Sequence, residues 1–176
     1  AIKLANEYDL HAKDIDSVVV DFPTFHYVDR PEPESGLDGK FSVQYATTVA
    51  LLDRRVKVAT FSDKRRFAED VKALLPRVHL NMRDDIPRNF QDCYAVVRVK
   101  TTEGKELVER CDKPRGMWGL PLTRDERLAK FRDCCELALP NKHIERVIEL
   151  VEKLESLDNI TELMDIIRMG KAHTQE

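Results

Sequence analysis

The chain has 176 residues, 42% hydrophobic and 35% charged, with a formal net charge of −3 and a pI near 6.0. That is the make-up of a soluble globular protein long enough to bury a core, with no global pull toward nucleic acid or an anionic membrane. No apolar run approaches the roughly 20 residues of a membrane span, and the N-terminus AIKLANEYDLHAKDID lacks the layout of a signal peptide. Cys93, Cys111, Cys134 and Cys135 show no CxxC spacing. They read as reduced thiols, which places the protein in the cytoplasm or, in a eukaryote, an organellar matrix.

Residues 1–10 read as the end of a helix that begins upstream, because the chain starts in mid-pattern without an initiator Met. SVVVDF (17–22) is short and β-branched, a strand. PTFHYVDRPEPESGLDG (23–39), with three prolines and two glycines, is a long loop, a length often functional. The apolar spacing from Lys40 to Leu52 predicts a helix, and KVATFS (57–62) a brief extended piece. RFAEDVKALLPR predicts a helix ending at Pro76 with Phe67, Val71 and Leu74 or Leu75 inward.

VHLNM (78–82) is a strand, and CYAVVRVKT with LVERCD around TEGKE is a β-hairpin. KPRGMWGLP (113–121) is a Gly/Pro loop. Thr123 with Glu126 three residues on marks a capping box, opening a helix that runs to Pro140. HIERVIELVEKLESL carries Ile144, Val147, Ile148, Val151 and Leu154 on one stripe, and TELMDIIRMG closes with Gly170 as the helix stop. The order predicts an α+β fold: a small, mostly antiparallel sheet covered by helices on one side, with a C-terminal helical tail over 123–170 in a single domain spanning 1–176.

The usual signals of chemistry are absent. His11, His26, His79, His143 and His173 are not spaced as metal ligands, and there is no GxGxxG, P-loop or GxSxG. Asp84-Asp85 is a turn or capping pair before it is an acid/base pair. Cys134-Cys135 lies within a helix, so one thiol should face the core. The basic run RRVKVATFSDKRR (54–66) reads as a solvated face, with an anion or nucleic-acid patch as its alternative.

The remaining candidate is GKFSVQYATTVALLD (39–53). If Asp38 or Gly39 caps this helix, the N–H groups of Lys40, Phe41 and Ser42 point outward, an end that attracts carboxylate or phosphate. Ser42 and Tyr45 are three apart, so hydroxyl and phenol can face one cleft. A protonated phenol can donate to developing negative charge. Spacing alone favours the plainer reading, Tyr45 as a core aromatic and Lys40 as an exposed N-terminal charge.

DGKFSVQYATTVALLDRRV resembles the AKFSxxYxxAxALLDG segment of the MmgE/PrpD family, whose members include 2-methylcitrate dehydratase, cis-aconitate decarboxylase and iminodisuccinate epimerase. A hairpin with an acidic-Gly turn (TTEGKELVER), a loop KPRGMWGLPLT, a helix RLAKFRDCCELA and a late LESLDNITELM follow in the family's order, so the resemblance covers nearly the whole chain. The departure is Arg54, where the family usually has Gly. The resemblance implies a C-terminal α+β lid domain whose upstream helical domain supplies most catalytic groups. It further implies di- or tricarboxylate substrates, no metal or organic cofactor, and a homodimer. Tyr45 matches the family's lid tyrosine, a catalytic role. Lys40 and Ser42 match its flanking motif and are expected, with Arg115 and more weakly Lys113, to bind substrate. The alternatives are an epimerase of the same family or a non-catalytic interaction module with the lid fold.

Overall fold

In the computed structural model, residues 1–117 and 119–169 are described here. The expected helix stop Gly170 lies outside them. The chain forms two compact units, residues 1–120 and 121–176. Unit 1 holds helix α1 (Ile2–Glu7), strand β1 (Ile15–Pro23), helices α2 (Val43–Asp53), α3 (Asp63–Arg66) and α4 (Glu69–Leu74), and strands β2 (Val78–Arg83), β3 (Ala95–Thr101) and β4 (Glu106–Cys111). Unit 2 holds α5 (Arg124–Cys135), α6 (Asn141–Glu152) and α7 (Thr161–Arg168). The fold is α+β, as expected.

The sheet runs β2-β1-β3-β4. β1 pairs with β2 in parallel and with β3 antiparallel, and β3 with β4 antiparallel. One row crosses all four strands: Val78, Val18, Val99 and Leu107 are in register. All four are buried against Leu4 and Ala5 of α1, Leu51 of α2 and Leu74 of α4. Side chains alternate across a pleated sheet, so Val19, Asp21, Asn81 and Arg98 face the other way. There Asn81 donates to the buried Asp21 carboxylate at 2.7 Å, and Arg98 pairs with its other oxygen. Burial opposes ionisation of Asp21, but these two donors prevail and hold its carboxyl below the ordinary range.

Helix α2 is the centre of unit 1. Val43, Thr47, Thr48 and Val49 are poor helix formers, so tertiary packing decides the conformation. Leu51 enters the sheet core, while Tyr45 and Val49 pack with Val71 and Leu75 in a second cluster. The buried Thr48 hydroxyl is satisfied by donating to Gln44 O at 2.8 Å. Three local expectations are corrected. Residues 58–61 form a 3-10 turn, not an extended piece. The 66–77 helix is broken into α3, α4 and a turn at Leu75–Arg77, which leaves Phe67 45% exposed. Val151 and Leu154 are exposed, because the α6 stripe that reaches the unit 2 core is Ile144, Val147, Ile148 and Leu150.

In unit 2 the Thr123 capping box forms as expected: Glu126 N donates to Thr123 Oγ1 at 3.2 Å and Thr123 N to Glu126 Oε2 at 2.7 Å. Cys135 packs against the core while Cys134 is exposed, and burial pushes the Cys135 thiol up. Arg132 binds Glu145 through two nitrogens, and Arg146 bridges Glu149 and Glu162. Among the described residues, no helix is long and apolar enough to cross a membrane.

Candidate functional site

β1, β2 and β4 point the same way, as the pairing directions require. The loops 24–42, 84–94 and 112–120 therefore emerge at one edge of the sheet. In open sheets with parallel crossovers, ligands favour the crevice outside the carboxyl ends of strands. The long loop after β1 is built rather than slack. Thr24 donates to Asp84 at 2.7 Å, joining the loops after β1 and β2. Gly36 N donates to Asp63 at 2.7 Å, and the buried Arg66 donates from Nε to Pro33 O at 2.8 Å. Arg66 is thus absorbed by the loop, Arg65 grips Asp53 and Asp70, and Arg54 pairs with Asp9. Three cations of the basic run are thus tied to the fold, while Arg55 and Lys64 are exposed, as expected of a solvated face. Asp84 and Asp85 do not act together, since Asp84 bonds Thr24 and Arg88 and Asp85 bonds Arg83.

The motif 39–45 splits into buried and presented residues. The helix starts at Val43, after a 3-10 turn at Asp38–Phe41, which corrects the expected start at Lys40. The amides expected to point outward are partly used: Lys40 N donates to Leu37 O and Ser42 N to Gly39 O. Ser42 is the N-cap. Its hydroxyl accepts from Tyr45 N at 2.9 Å and donates to Arg30 O at 2.6 Å. A buried hydroxyl so occupied fixes the backbone under Arg30 rather than facing a cleft.

Tyr45 is 0% exposed. Its hydroxyl donates to Thr60 O at 2.6 Å, and its ring lies 6.3 Å from that of Phe61. The expectation that hydroxyl and phenol share an open cleft is corrected: Tyr45 points into the second core cluster, on the α4 side of α2. Burial pushes its phenol pKa up, against the opposing charges of Arg65 and Arg66, so the proton stays on at neutral pH. Gly39 closes this packing. A Cβ there would lie 2.5 Å from the Tyr45 ring, so only glycine lets the turn approach.

Lys40 is exposed, with Nζ 5.8 Å from the Phe61 ring centroid. The same loop carries a residue that the sequence did not single out. Arg30 has its guanidinium 5.4 Å from the Phe41 ring centroid, donates from Nε to Tyr27 O at 3.1 Å, and pairs with Asp38. Tyr27, Arg30, Ser35, Leu37, Asp38 and Phe41 line a cavity of about 420 Å³. A signal was available: Arg30 sits at the start of the Pro-rich stretch, twelve residues before the Ser42 that holds its carbonyl. At Gln44, Nε2 donates to Asp29 at 2.6 Å, while Oε1 is buried with no donor among the described residues.

Arg115 lies in the 112–120 loop at the same sheet edge, two strands over from β1. Lys113 there lines a separate cavity with Phe90, Gln91, Asp92, Met117 and Gly119. The expected binding residues therefore fall in two loops: Lys40 and Ser42 in the one after β1, and Lys113 and Arg115 in the one after β4. Among the described residues, no cluster of three or more His, Cys, Asp or Glu has the arrangement of a metal site.

A family model, the MmgE/PrpD C-terminal domain, matches residues 1–156. The chain belongs to the MmgE/PrpD family. The match takes in the KFS…Y motif, the hairpin and α6. Cis-aconitate decarboxylase of Mus musculus is 31% identical over 157 residues, 89% of this chain and 32% of the relative. The Homo sapiens enzyme of that name is 29% identical over 154 residues, 88% and 32%. That of Aspergillus terreus is 24% identical over 145 residues, 80% and 29%. The chain thus spans about a third of the length of these relatives.

Proposed function

We propose that the chain is the C-terminal lid part of a cofactor-independent lyase acting on a di- or tricarboxylate such as cis-aconitate or 2-methylcitrate. The observation that carries this reading is the match over residues 1–156 together with relatives named cis-aconitate decarboxylase. In this proposal a base outside the chain removes a proton next to a carboxylate, and decarboxylation or dehydration follows. Lys40 supplies a fixed charge for one substrate carboxylate, and Arg115 adds charge from the far side of the same edge. The geometry best supports Tyr45 as a positioning residue. A donor role requires its hydroxyl to leave Thr60 O and emerge from the core. The fragment on its own is expected to be inactive, and the working protein to be a dimer.

The test is Lys40→Gln in the full-length protein, assayed on cis-aconitate and on 2-methylcitrate. KM should rise about 10-fold or more with kcat within about threefold, the pattern of lost ground-state binding. A kcat/KM within twofold of wild type on the substrate it turns over ends this role for Lys40. A non-catalytic module with the same fold is the second reading, favoured by one observation: Ser42 and Tyr45 are both spent on packing. No turnover of either acid by the full-length protein would favour it.

A further inference from the structure

Resting on the carboxylate reading above, the geometry points to Arg30 as a second substrate-binding cation, with Asp38 as an internal carboxylate that occupies it until substrate arrives. Arg30 is built into place. Its Nε donates to Tyr27 O, its guanidinium lies 5.4 Å from the Phe41 ring centroid, and its main-chain carbonyl is fixed by the buried Ser42 hydroxyl. Its side chain is nonetheless 41% exposed, and it borders the cavity whose wall also carries Asp38 and Phe41.

Asp38 already shows what this guanidinium binds. One carboxylate oxygen takes Arg30 Nη1, and the other accepts Glu34 N at 3.0 Å. A planar guanidinium suits a carboxylate, and with Arg30 41% and Asp38 23% exposed the pair is open to water on the Arg30 side, where ion pairs contribute little to stability. One carboxylate can therefore replace another at small cost, while Asp38 keeps its bond to Glu34 N. Lys40 sits two residues on in the same 3-10 turn, and no carboxylate pairs with it among the described residues. A monocarboxylate would have to displace Asp38 with one charge alone. A di- or tricarboxylate anchors on Lys40 and then competes for Arg30 at high effective concentration. The arrangement selects for ligands with more than one carboxylate.

Calorimetric titration of the full-length protein with tricarballylate, and with butyrate as a monocarboxylate, tests this. Asp38→Asn should tighten tricarballylate about 2- to 5-fold, the upper range for releasing an ion pair open to water. It should also narrow the preference over butyrate. Arg30→Gln should weaken tricarballylate about 10-fold or more. In the Arg30→Gln background, Asp38→Asn should change affinity less than twofold, because its effect runs through the guanidinium. Should Arg30→Gln not fold, Arg30→Lys keeps the charge, loses the fork and should weaken binding about 3- to 10-fold. If Asp38→Asn leaves affinity within twofold, or acts equally without Arg30, the exchange is wrong. If Lys40→Gln weakens tricarballylate and Arg30→Gln does not, this inference alone falls. If neither weakens it, the carboxylate reading falls with it.

Discussion

The inner and outer halves of the motif 39–45 do opposite work. Gly39, Ser42 and Tyr45 face inward: the glycine admits the Tyr45 ring, the serine caps α2, and the phenol ties α2 to the 58–61 turn. Lys40 and Phe41 face outward, where each takes part in a cation–aromatic contact. A short motif that reads as one functional unit is two interleaved ones, because a tight turn sends neighbouring side chains to opposite sides. The inner set fixes where the outer set stands. The two halves should therefore fail differently, one in stability and the other in binding.

The largest expected effect is Tyr45→Ala, which empties the second core cluster. A loss of about 3–5 kcal/mol is the range for removing a buried aromatic, read from the denaturant midpoint of the full-length protein. Lys40→Ala should stay within about 0.5 kcal/mol, as for a surface change. Comparable losses from both would erase the division. Tyr45→Phe is subtler. It strands Thr60 O, and leaving a buried acceptor unpaired costs about 1–3 kcal/mol. As a positioning change it should leave kcat within about tenfold. A fall of 10²-fold or more at unchanged stability, the scale of a lost general acid, would show that the phenol leaves the core to reach substrate. Ser42→Ala removes the cap and should cost about 1 kcal/mol. It also frees the Arg30 carbonyl, so tricarboxylate affinity should drop with stability; a drop in stability alone would uncouple the halves.

How much of this could be read in the sequence depended on range. The hairpin, the Thr123 capping box and β1 rest on contacts between near neighbours and were legible. So was the α+β class, from the order of elements. The start of α2 was not. Ser42 caps it only because a 3-10 turn, set by Gly39 packing on Tyr45, precedes it. The direction of Tyr45 was equally hidden, since α2 is buried on several sides and its pattern has no single apolar stripe to follow. Arg30 was missed because its site role depends on Phe41 and Asp38, brought to it by a folded loop rather than by periodicity. The basic run 54–66 is exposed over much of its length, as its composition indicated; the pairing of Arg54, Arg65 and Arg66 was hidden because Asp9, Asp70 and Pro33 O lie on other elements.

The smallest effect tests the one departure from the family pattern. Arg54 is the C-cap of α2 and adopts the left-handed conformation, φ 54° and ψ 21°. That is the position where glycine is favoured, and a residue with a Cβ is strained there by about 1 kcal/mol. The Gly usual in the family is thus a helix stop, and the arginine meets the same geometric demand at some cost. In return its guanidinium binds Asp9 Oδ1 at 2.5 Å and Leu10 O at 3.3 Å, tying the end of α2 to the segment after α1. Arg54→Gly relieves the strain and loses both contacts, so the net change in stability should be under about 1 kcal/mol. Arg54→Ala keeps the strain and loses the contacts, and should be the worse of the two. Because this cap lies at the opposite end of α2 from Lys40, neither variant should move KM. A shift in KM with Arg54→Gly would mean that the outer half of the motif is held by the whole helix and not by its first turn.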